Sequence, residues 1–278
     1  MSFRIQNNLV AMNAQNSLET SQTAMQKSLA RLSSGYRINS AKDDAAGLAI
    51  SQGFRASIAS SQVAQRNISE ANALLQTAEG AMTSIGDILT RMKELATQSA
   101  SANVSAGGRT NISNEFVDLQ AEIDRIATST KYAGTALTTG TFSANAFQIG
   151  YTNTTADSQI NITIAGVGTA SLSVAAANAS VGSAASALAA MSTIDTAVAL
   201  LATDRAQIGS YQNRLGYAAA NLSVTLENMS ASESVIRDVD MAAEMTRFTK
   251  NQILVQAGTA MLAQANLAPQ QILSLLKG

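Results

Sequence analysis

The longest regular pattern in the chain lies between residues 50 and 99, where apolar or small side chains recur at alternating spacings of four and three. A period of 3.5 residues kept over about seven heptads predicts a helix whose apolar seam is covered by other helices. At about 1.5 Å per residue the helix would be roughly 75 Å long, which indicates an elongated bundle. The seam consists of Ile50, Phe54, Ser57, Ser61, Ala64, Ile68, Ala71, Leu75, Ala78, Met82, Ile85, Leu89, Met92, Ala96 and Ser99.

Similar spacings predict four more helices. The first covers about residues 4–31 and is followed by Gly35, which suits the left-handed position just beyond a helix. Asp43 and Asp44 precede the long helix, predicted over residues 44–100, and we expect both carboxylates to cap its first turn. The other three helices are predicted over about residues 109–129, 184–230 and 235–276.

A short β segment interrupts this helical pattern. Apolar residues alternate through Phe147–Tyr151 and again through Ile160–Ile164, with the polar residues Thr152–Ser158 between them. A period of two on either side of a polar loop predicts a β-hairpin near residues 147–164. Leu172 and Val174 suggest a further weak strand. The predicted fold class is therefore mainly α, an elongated bundle of long heptad-seamed helices with a small β-hairpin insert.

The two ends of the chain have more apolar surface than one helix pair can bury. The last segment carries Met245 and Phe248 on one line and Ile253 and Met261 on another. A helix that is apolar on several faces needs several partners, and a single chain of this length does not supply them. We therefore predict self-assembly through Ile5, Leu9, Met12, Met245, Phe248, Ile253, Met261, Leu262 and Leu276.

Composition narrows the function classes. The chain contains no Cys, His or Trp, so zinc or copper sites and Ser-His or Cys-His nucleophiles are not expected. The formal net charge of -1 gives little support for binding nucleic acid. We find no metalloprotease, P-loop or dinucleotide motif, no signal-peptide core and no run of about 18 apolar residues. These observations predict a non-enzymatic protein without cofactors that does not insert into membranes.

Several sequence blocks resemble the signatures of bacterial flagellins. Leu32–Ser51 reads LSSGYRINSAKDDAAGLAIS, and Ser234–Leu276 resembles the C-terminal signature of the family. Met92–Ala100 and Glu122–Ala127, read as MKELATQSA and EIDRIA, are similar to later family blocks. The resemblance covers about residues 1–140 and 185–278, with the blocks in the family's order.

This resemblance implies a subunit of the bacterial flagellar filament, which serves motility. Residues 1–43 with 235–278 would form the helical domain that lines the filament channel, and residues 44–234 would form the rod. Only about 45 residues, Thr141–Ala185, separate the rod halves, so we expect no large outer domain. The resemblance also implies type III export without a cleaved signal peptide, an extracellular location, and an export chaperone at the C-terminal helix. Further partners would be the filament cap and hook-junction proteins.

The family also suggests a receptor. Many flagellins are bound by the innate receptor TLR5 (Toll-like receptor 5) at a basic-then-leucine block and at a glutamate on the next helix. The block matches residues 90–96, which puts Arg91 and Leu95 at the key positions and Glu115 at the glutamate. The alternative is that Arg91 is a solvated helix charge and Leu95 a core leucine beside the seam.

Other functions compete with a filament subunit. A hook–filament junction protein shares the terminal helices, and the block at Lys250–Asn266 favours flagellin over it. An enzymatic filament would need a metalloprotease insert, which a middle segment without His does not provide. A membrane-inserted secretion protein would need a long apolar segment.

Overall fold

The computed structural model describes residues 8–277, with side chains described for residues 8–267. The chain divides into two compact units, which we call the first unit (residues 1–56 and 228–278) and the second unit (residues 57–227). The sequence predicts domain boundaries after residues 43 and 234, and the compact units divide near residues 56 and 227, within two long helices. The channel-lining and rod roles of these segments stay predictions.

The fold is mainly α, as predicted. The helices are α1 (Leu9–Ser34), α2 (Ala45–Ala100), α3 (Ala106–Ser129), the short α4 (Thr155–Ser158), α5 (Ala184–Arg237) and α6 (Met241–Lys277). Helix α5 continues seven residues beyond its predicted end, because the serine-rich segment after Met229 contains neither Gly nor Pro to stop it. Asp240 then starts α6, since its carboxylate accepts hydrogen bonds from the backbone N–H groups of Ala242 and Ala243, each at 3.0 Å.

The helix ends follow local chemistry, with one difference from expectation. Gly35 adopts a φ of 74° and donates its N–H to the Arg31 carbonyl, as predicted for the end of α1. Asp44 caps α2 by accepting the N–H of Gly47 at 2.9 Å. The prediction that Asp43 also caps α2 is wrong, because its carboxylate lies 2.7 Å from the Lys27 ammonium instead. This ion pair joins α1 to the connector that follows it.

The seam of α2 forms the core of the second unit. Every predicted seam position from Ser61 to Ser99 is buried, whereas Ile50, in the first unit, is about half exposed. The same hydrophobic cluster includes Phe116 and Ile123 of α3. Helix α5 adds Ala187, Ala190, Ile194, Ala197, Leu201, Ile208, Tyr211, Leu215 and Leu222. Three long helices thus share one core, as the heptad pattern predicted.

The predicted hairpin is present with shorter strands. Strand β3 (Asn145–Gln148) pairs antiparallel with β4 (Gln159–Ile162), and Phe147 lies opposite Ile160. Leu172 and Val174 are buried, but the strand predicted there is wrong. Their N–H groups bond within the same turn, to the carbonyls of Gly168 and Thr169, so none is left for a β partner. Between α3 and α5 the described chain contains no large outer domain.

A second hairpin was missed by the sequence pattern. Strands β1 (Lys131–Tyr132) and β2 (Thr135–Ala136) are joined by Ala133 and Gly134, both with positive φ, 47° and 84°. Two-residue hairpin turns with positive φ at both positions usually carry Asn-Gly, since Asn tolerates this conformation. Alanine at residue 133 hides that signal.

Helix α5 contradicts the expectation that no segment could span a membrane. We expected no segment long and apolar enough to cross a membrane, yet within the described residues α5 meets that criterion by length and composition. Such helices also occur as core helices of proteins outside membranes. Ala187, Ile194 and Leu201 are buried in the core of the second unit, but Leu188, Val198 and Leu200 are exposed, so burial accounts for only part of the apolar character of α5.

Replacing Ala133 with Asn should stabilise the tight turn. The left-handed conformation costs an L-residue roughly 1–2 kcal/mol, and we expect Ala133→Asn to recover about 0.5–1 kcal/mol of unfolding free energy. Urea denaturation measures the difference. Ala177→Asn, in an exposed loop without a positive φ, is the matched control and should be neutral. Equal effects of the two substitutions would contradict this explanation.

A partly buried carboxylate should make the second unit sensitive to pH. Asp204 lies in a cleft of about 270 Å³ lined also by Ile208 and Tyr211, and burial raises the pKa of its carboxyl. A raised pKa in the folded state means that the ionised form is disfavoured there, so stability falls as pH rises through the unfolded and then the folded pKa. Asp204→Asn should therefore raise the unfolding temperature at pH 7 and leave it unchanged at pH 3.

The control for Asp204 is Asp87→Asn, which removes an exposed carboxylate from α2 of the same unit. Calorimetry of both variants at the two pH values gives the comparison. A gain for Asp204→Asn that is as large at pH 3 as at pH 7 would mean that ionisation has no part in it.

Candidate functional site

The first unit is built on an antiparallel pair of helices, α1 and α6. Near one end the Asn8 side-chain amide donates to the Ala265 carbonyl at 2.8 Å. Further along, a Cβ added to Gly258 would lie 3.2 Å from the Leu18 side chain, so glycine permits close approach there. At the other end Arg31 lies 3.7 Å from Glu244. As residue numbers rise along α1 they fall along α6, which fixes the antiparallel orientation.

A small joint, made of residues 35–37 and 237–239, ties together the connectors that follow α1 and α5. The Arg37 N–H donates to the Arg237 carbonyl at 2.7 Å, and the Val239 N–H donates to the Gly35 carbonyl at 3.0 Å. The Arg237 guanidinium lies 4.2 Å from the centre of the Tyr36 ring, a cation–π contact. The joint therefore holds the starts of α2 and α6 in a defined geometry within the first unit.

Charged groups lie beside this pair of helices. Glu244 is buried in the first unit, with its carboxylate 3.3 Å from Arg247 and 3.7 Å from Arg31. The hydrogen bond from Lys27 holds the pKa of the Asp43 carboxyl at about 2, well below its usual value, with help from Ser40. A buried glutamate tolerates only arrangements that keep its cations nearby, so these charges favour one register of α1 on α6.

Beyond that contact, α1 and α6 leave ten large apolar side chains exposed, and we call this set of residues the apolar face. It consists of Leu9, Val10, Met12, Leu29, Met241, Met245, Ile253, Leu254, Met261 and Leu267, each between 44% and 63% exposed. Part of it forms an open groove of about 540 Å³ along α6, lined by Met245, Thr246, Thr249, Lys250, Ile253 and Leu254. An exposed surface of this kind is typical of an interaction site.

Most predicted assembly residues that can be described lie on the apolar face. Leu9, Met12, Met245, Ile253 and Met261 are exposed on it. Phe248 and Leu262 are partly buried, so less of their surface is open to a partner. Ile5 lies outside the described residues, and the side chain of Leu276 lies outside those described.

Sequence reasoning did not include five members of the apolar face among the assembly residues, namely Val10, Leu29, Met241, Leu254 and Leu267. Each is between 44% and 61% exposed. The sequence shows that these positions are apolar, but their exposure depends on which side of each helix meets the other. A helical-wheel comparison that assumed an α1–α6 pair could have found them.

The second unit carries a charged cluster at the predicted receptor block. The Arg91 guanidinium donates to Glu115 from Nε at 3.0 Å and from Nη2 at 2.8 Å, and to Glu94 from Nη1 at 3.0 Å. Hydrogen bonds to Glu115, and then to Glu94, raise the pKa of Arg91. The Arg91 side chain is half exposed, so the structure brings two of the three predicted residues together at the surface.

Leu95 is buried, as in the alternative of a core leucine beside the seam. Its side chain is 2% exposed and belongs to the core cluster. Ala96, the next residue, is buried as well. Because both α3 and α5 contribute to the core around α2, the buried arc is wider than a single seam. Leu95 therefore supports the charged cluster from inside.

Among residues 8–277 no group of three or more acidic side chains is placed to hold a metal ion, and the chain contains no His or Cys. The surfaces that stand out are an apolar face and a cluster of paired charges. Such surfaces suit contact with other macromolecules.

Comparison with known families gives two matches. A family described as the bacterial flagellin N-terminal helical region matches residues 5–143. A family described as the bacterial flagellin C-terminal helical region matches residues 191–276. The two matches together include α1, α2, α3, most of α5 and nearly all of α6.

Individual relatives agree with these families. The chain is 39% identical to the flagellin of Bacillus subtilis (strain 168), over 99% of this chain and 100% of that protein. It is 42% identical to the flagellar filament 33 kDa core protein of Treponema phagedenis, over 98% and 99%.

Two solved structures are also similar. The crystal structure of Bacillus cereus flagellin matches with a TM-score of 0.50 and 28% identity, over 60% of this chain and 94% of that one. A putative flagellar hook-associated protein from Vibrio parahaemolyticus matches with a TM-score of 0.58, over 70% and 99%. The second is only 14% identical, so its likeness concerns the fold alone.

Proposed function

Because the chain belongs to the bacterial flagellin family, we propose that the apolar face of α1 and α6 is the surface through which its subunits join. The protein is a structural subunit of the flagellar filament and polymerises with itself. The observation that supports the proposal is the exposure of ten large apolar side chains on one helix pair. Helices that find no cover within their own chain gain it from neighbouring copies.

The energetics favour this assignment. Full burial of a Leu, Ile or Met side chain contributes about 1.5–3 kcal/mol, so covering a half-exposed one adds a fraction of that. Summed over ten side chains, the gain is large enough to drive association. Helices that are not packed have little stability of their own, since propensity alone seldom offsets backbone entropy. We therefore propose that the helical state of α1 and α6 becomes stable as assembly covers the apolar face.

We extend the proposal to export and to other partners. The subunit would leave the cell unfolded through the flagellar type III apparatus, without a cleaved signal peptide, and act in an extracellular filament. An export chaperone would cover the apolar surface of α6, where Met261 and Leu267 are exposed. Filament cap and hook-junction proteins would meet the same terminal helices, and the role is structural rather than enzymatic.

We also propose that TLR5 contacts the free subunit at Arg91 and Glu115. Arg91 is exposed, and a guanidinium can exchange its partner Glu115 for a receptor carboxylate at small cost, because exposed ion pairs contribute little stability. Leu95 would act indirectly, by holding the backbone of α2 against the core.

Hydrogen exchange tests the assembly proposal. We expect fast exchange in α1 and α6 of the free subunit and strong protection in the filament, because the apolar face becomes covered there. Residues 57–227 should be protected in both forms. Equal protection of α1 and α6 in both forms would show that these helices are stable before assembly.

Two substitutions at one position provide the control. Ile253→Asp would place a carboxylate on the covered face and should raise the critical concentration for filament growth roughly 100-fold or more. Ile253→Val keeps the side chain apolar and should polymerise normally. Light scattering and electron microscopy give the result, and normal growth of Ile253→Asp would overturn the assignment of this face.

Receptor signalling tests the second proposal. Arg91→Ala removes a charge-assisted contact worth about 1.5–3 kcal/mol, so activation of TLR5 by the free subunit should fall roughly tenfold or more. The unfolding temperature should change little, because the ion pairs of Arg91 are exposed.

The matched control is Arg125→Ala. Arg125 is also exposed and also pairs with a glutamate three residues away, Glu122. Its removal should leave signalling unchanged. Equal losses for the two variants would mean that general surface charge, rather than the cluster at Arg91, determines receptor activation.

A further inference from the structure

Methionines are distributed unevenly between the two units. The chain has ten, and all except Met1 lie in the part for which side chains are described. The four exposed ones are all on α1 or α6, with exposed fractions between 49% and 63%; they are Met12, Met241, Met245 and Met261. In the second unit Met82 and Met92 are fully buried. All four exposed methionines therefore belong to the apolar face.

The one other methionine in the second unit is less exposed than these four. Met191 is partly buried, and its sulfur accepts a hydrogen bond from the Thr97 hydroxyl at 3.8 Å. The second unit therefore exposes little thioether to solvent, whereas the first unit exposes four.

The composition of the chain means that the exposed methionines are the main targets of an oxidant. The chain contains no Cys, Trp or His, so methionine is its most readily oxidised side chain. A mild oxidant that meets the free subunit would react mainly at exposed thioethers. The apolar face is where those thioethers lie.

We propose that Met12, Met241, Met245 and Met261 are oxidation sites through which peroxide prevents polymerisation. The proposal rests on the assembly role of the apolar face. Oxidation of these residues turns apolar side chains into polar ones on the surface that neighbouring copies cover. Met245 occupies the most sensitive position, because it lines the groove with Ile253 and Leu254.

The reaction balances with hydrogen peroxide as the oxidant. A lone pair of the thioether sulfur attacks one peroxide oxygen, the S–O bond forms, and the O–O bond breaks. The proton on the transferred oxygen passes to the leaving hydroxide, so the products are the sulfoxide and one water molecule, with sulfur oxidised by two electrons and peroxide reduced by two. The new oxygen is a strong hydrogen-bond acceptor, which is unfavourable on an apolar surface that becomes covered.

Assembly should also protect the same sulfurs. Once neighbouring copies cover the apolar face, peroxide reaches these thioethers only when a subunit opens or leaves. Oxidation therefore acts on newly made subunits and spares the growing polymer. The four methionines are therefore open to oxidation in the free subunit and protected from it in the filament.

Mass spectrometry tests where oxidation occurs. The free subunit and the filament are treated with the same concentration of hydrogen peroxide, and sulfoxide is measured at each methionine. We expect rapid oxidation at the four sites in the free subunit and at least tenfold slower oxidation in the filament. Met82 and Met92 serve as internal controls and should stay unmodified while the second unit is folded. Equal rates at Met82 and at the four sites would overturn the proposal.

Polymerisation of the oxidised subunit tests the consequence. Its critical concentration should rise at least tenfold, and methionine sulfoxide reductases should restore the original value. A subunit carrying Met12→Leu, Met241→Leu, Met245→Leu and Met261→Leu should polymerise equally with and without peroxide. Should leucine itself impair growth, reversal by the reductases decides, since it compares one unchanged sequence in two oxidation states.

Ile253→Asp separates failure of this proposal from failure of the assembly role. If oxidised subunits polymerise normally while Ile253→Asp does not, methionine oxidation does not control assembly, and the apolar face keeps its role. If both polymerise normally, the assembly role itself is wrong. Impaired growth of oxidised subunits that the reductases do not reverse would indicate damage elsewhere and would also overturn the proposal.

Discussion

The second unit depends on one constraint, the need to cover an apolar seam that runs along α2 from Ser61 to Ser99. A helix with a 3.5-residue seam is stable only when other helices pack on it, and α3 and α5 contribute their apolar residues to that core. Polar contacts then align the helices, as where Lys93 of α2 meets Asp195 of α5 at 2.5 Å. These contacts are exposed, so burial supplies most of the stability.

The need to cover apolar helix surface has a different outcome in the first unit. There α1 and α6 pair with each other, and ten large apolar side chains among their described residues stay exposed. When several helices cover an apolar helix, the result is a folded core. When only one helix covers it, apolar side chains stay exposed until other copies of the chain cover them. A filament subunit needs both outcomes in one chain, because it must keep a stable body and still gain free energy on assembly.

The sequence predicted much of this fold because heptad spacing reports helix burial directly. It identified the five long helices, the seam of α2 and the β3–β4 hairpin. It could not predict how wide the buried arc of α2 is, since that depends on how many helices surround α2, and it therefore left open whether Leu95 is buried or exposed. The β1–β2 hairpin was missed because Ala133 replaces the usual Asn of its turn. Leu172 and Val174 alternate as a strand would, but local turns use their N–H groups.

Apolar surfaces built from small and flexible side chains provide affinity but little register, because many offsets bury similar area. In the first unit, polar contacts beside the apolar face fix the register of α1 on α6. Glu244 is buried and must keep its cations Arg31 and Arg247 within reach, which penalises any slip of α1 along α6. The joint around Tyr36 fixes the connectors at the same end. A pair of helices held in this way presents its methionines, leucines and isoleucines in a single pattern, and a repeating polymer requires every copy to present the same pattern.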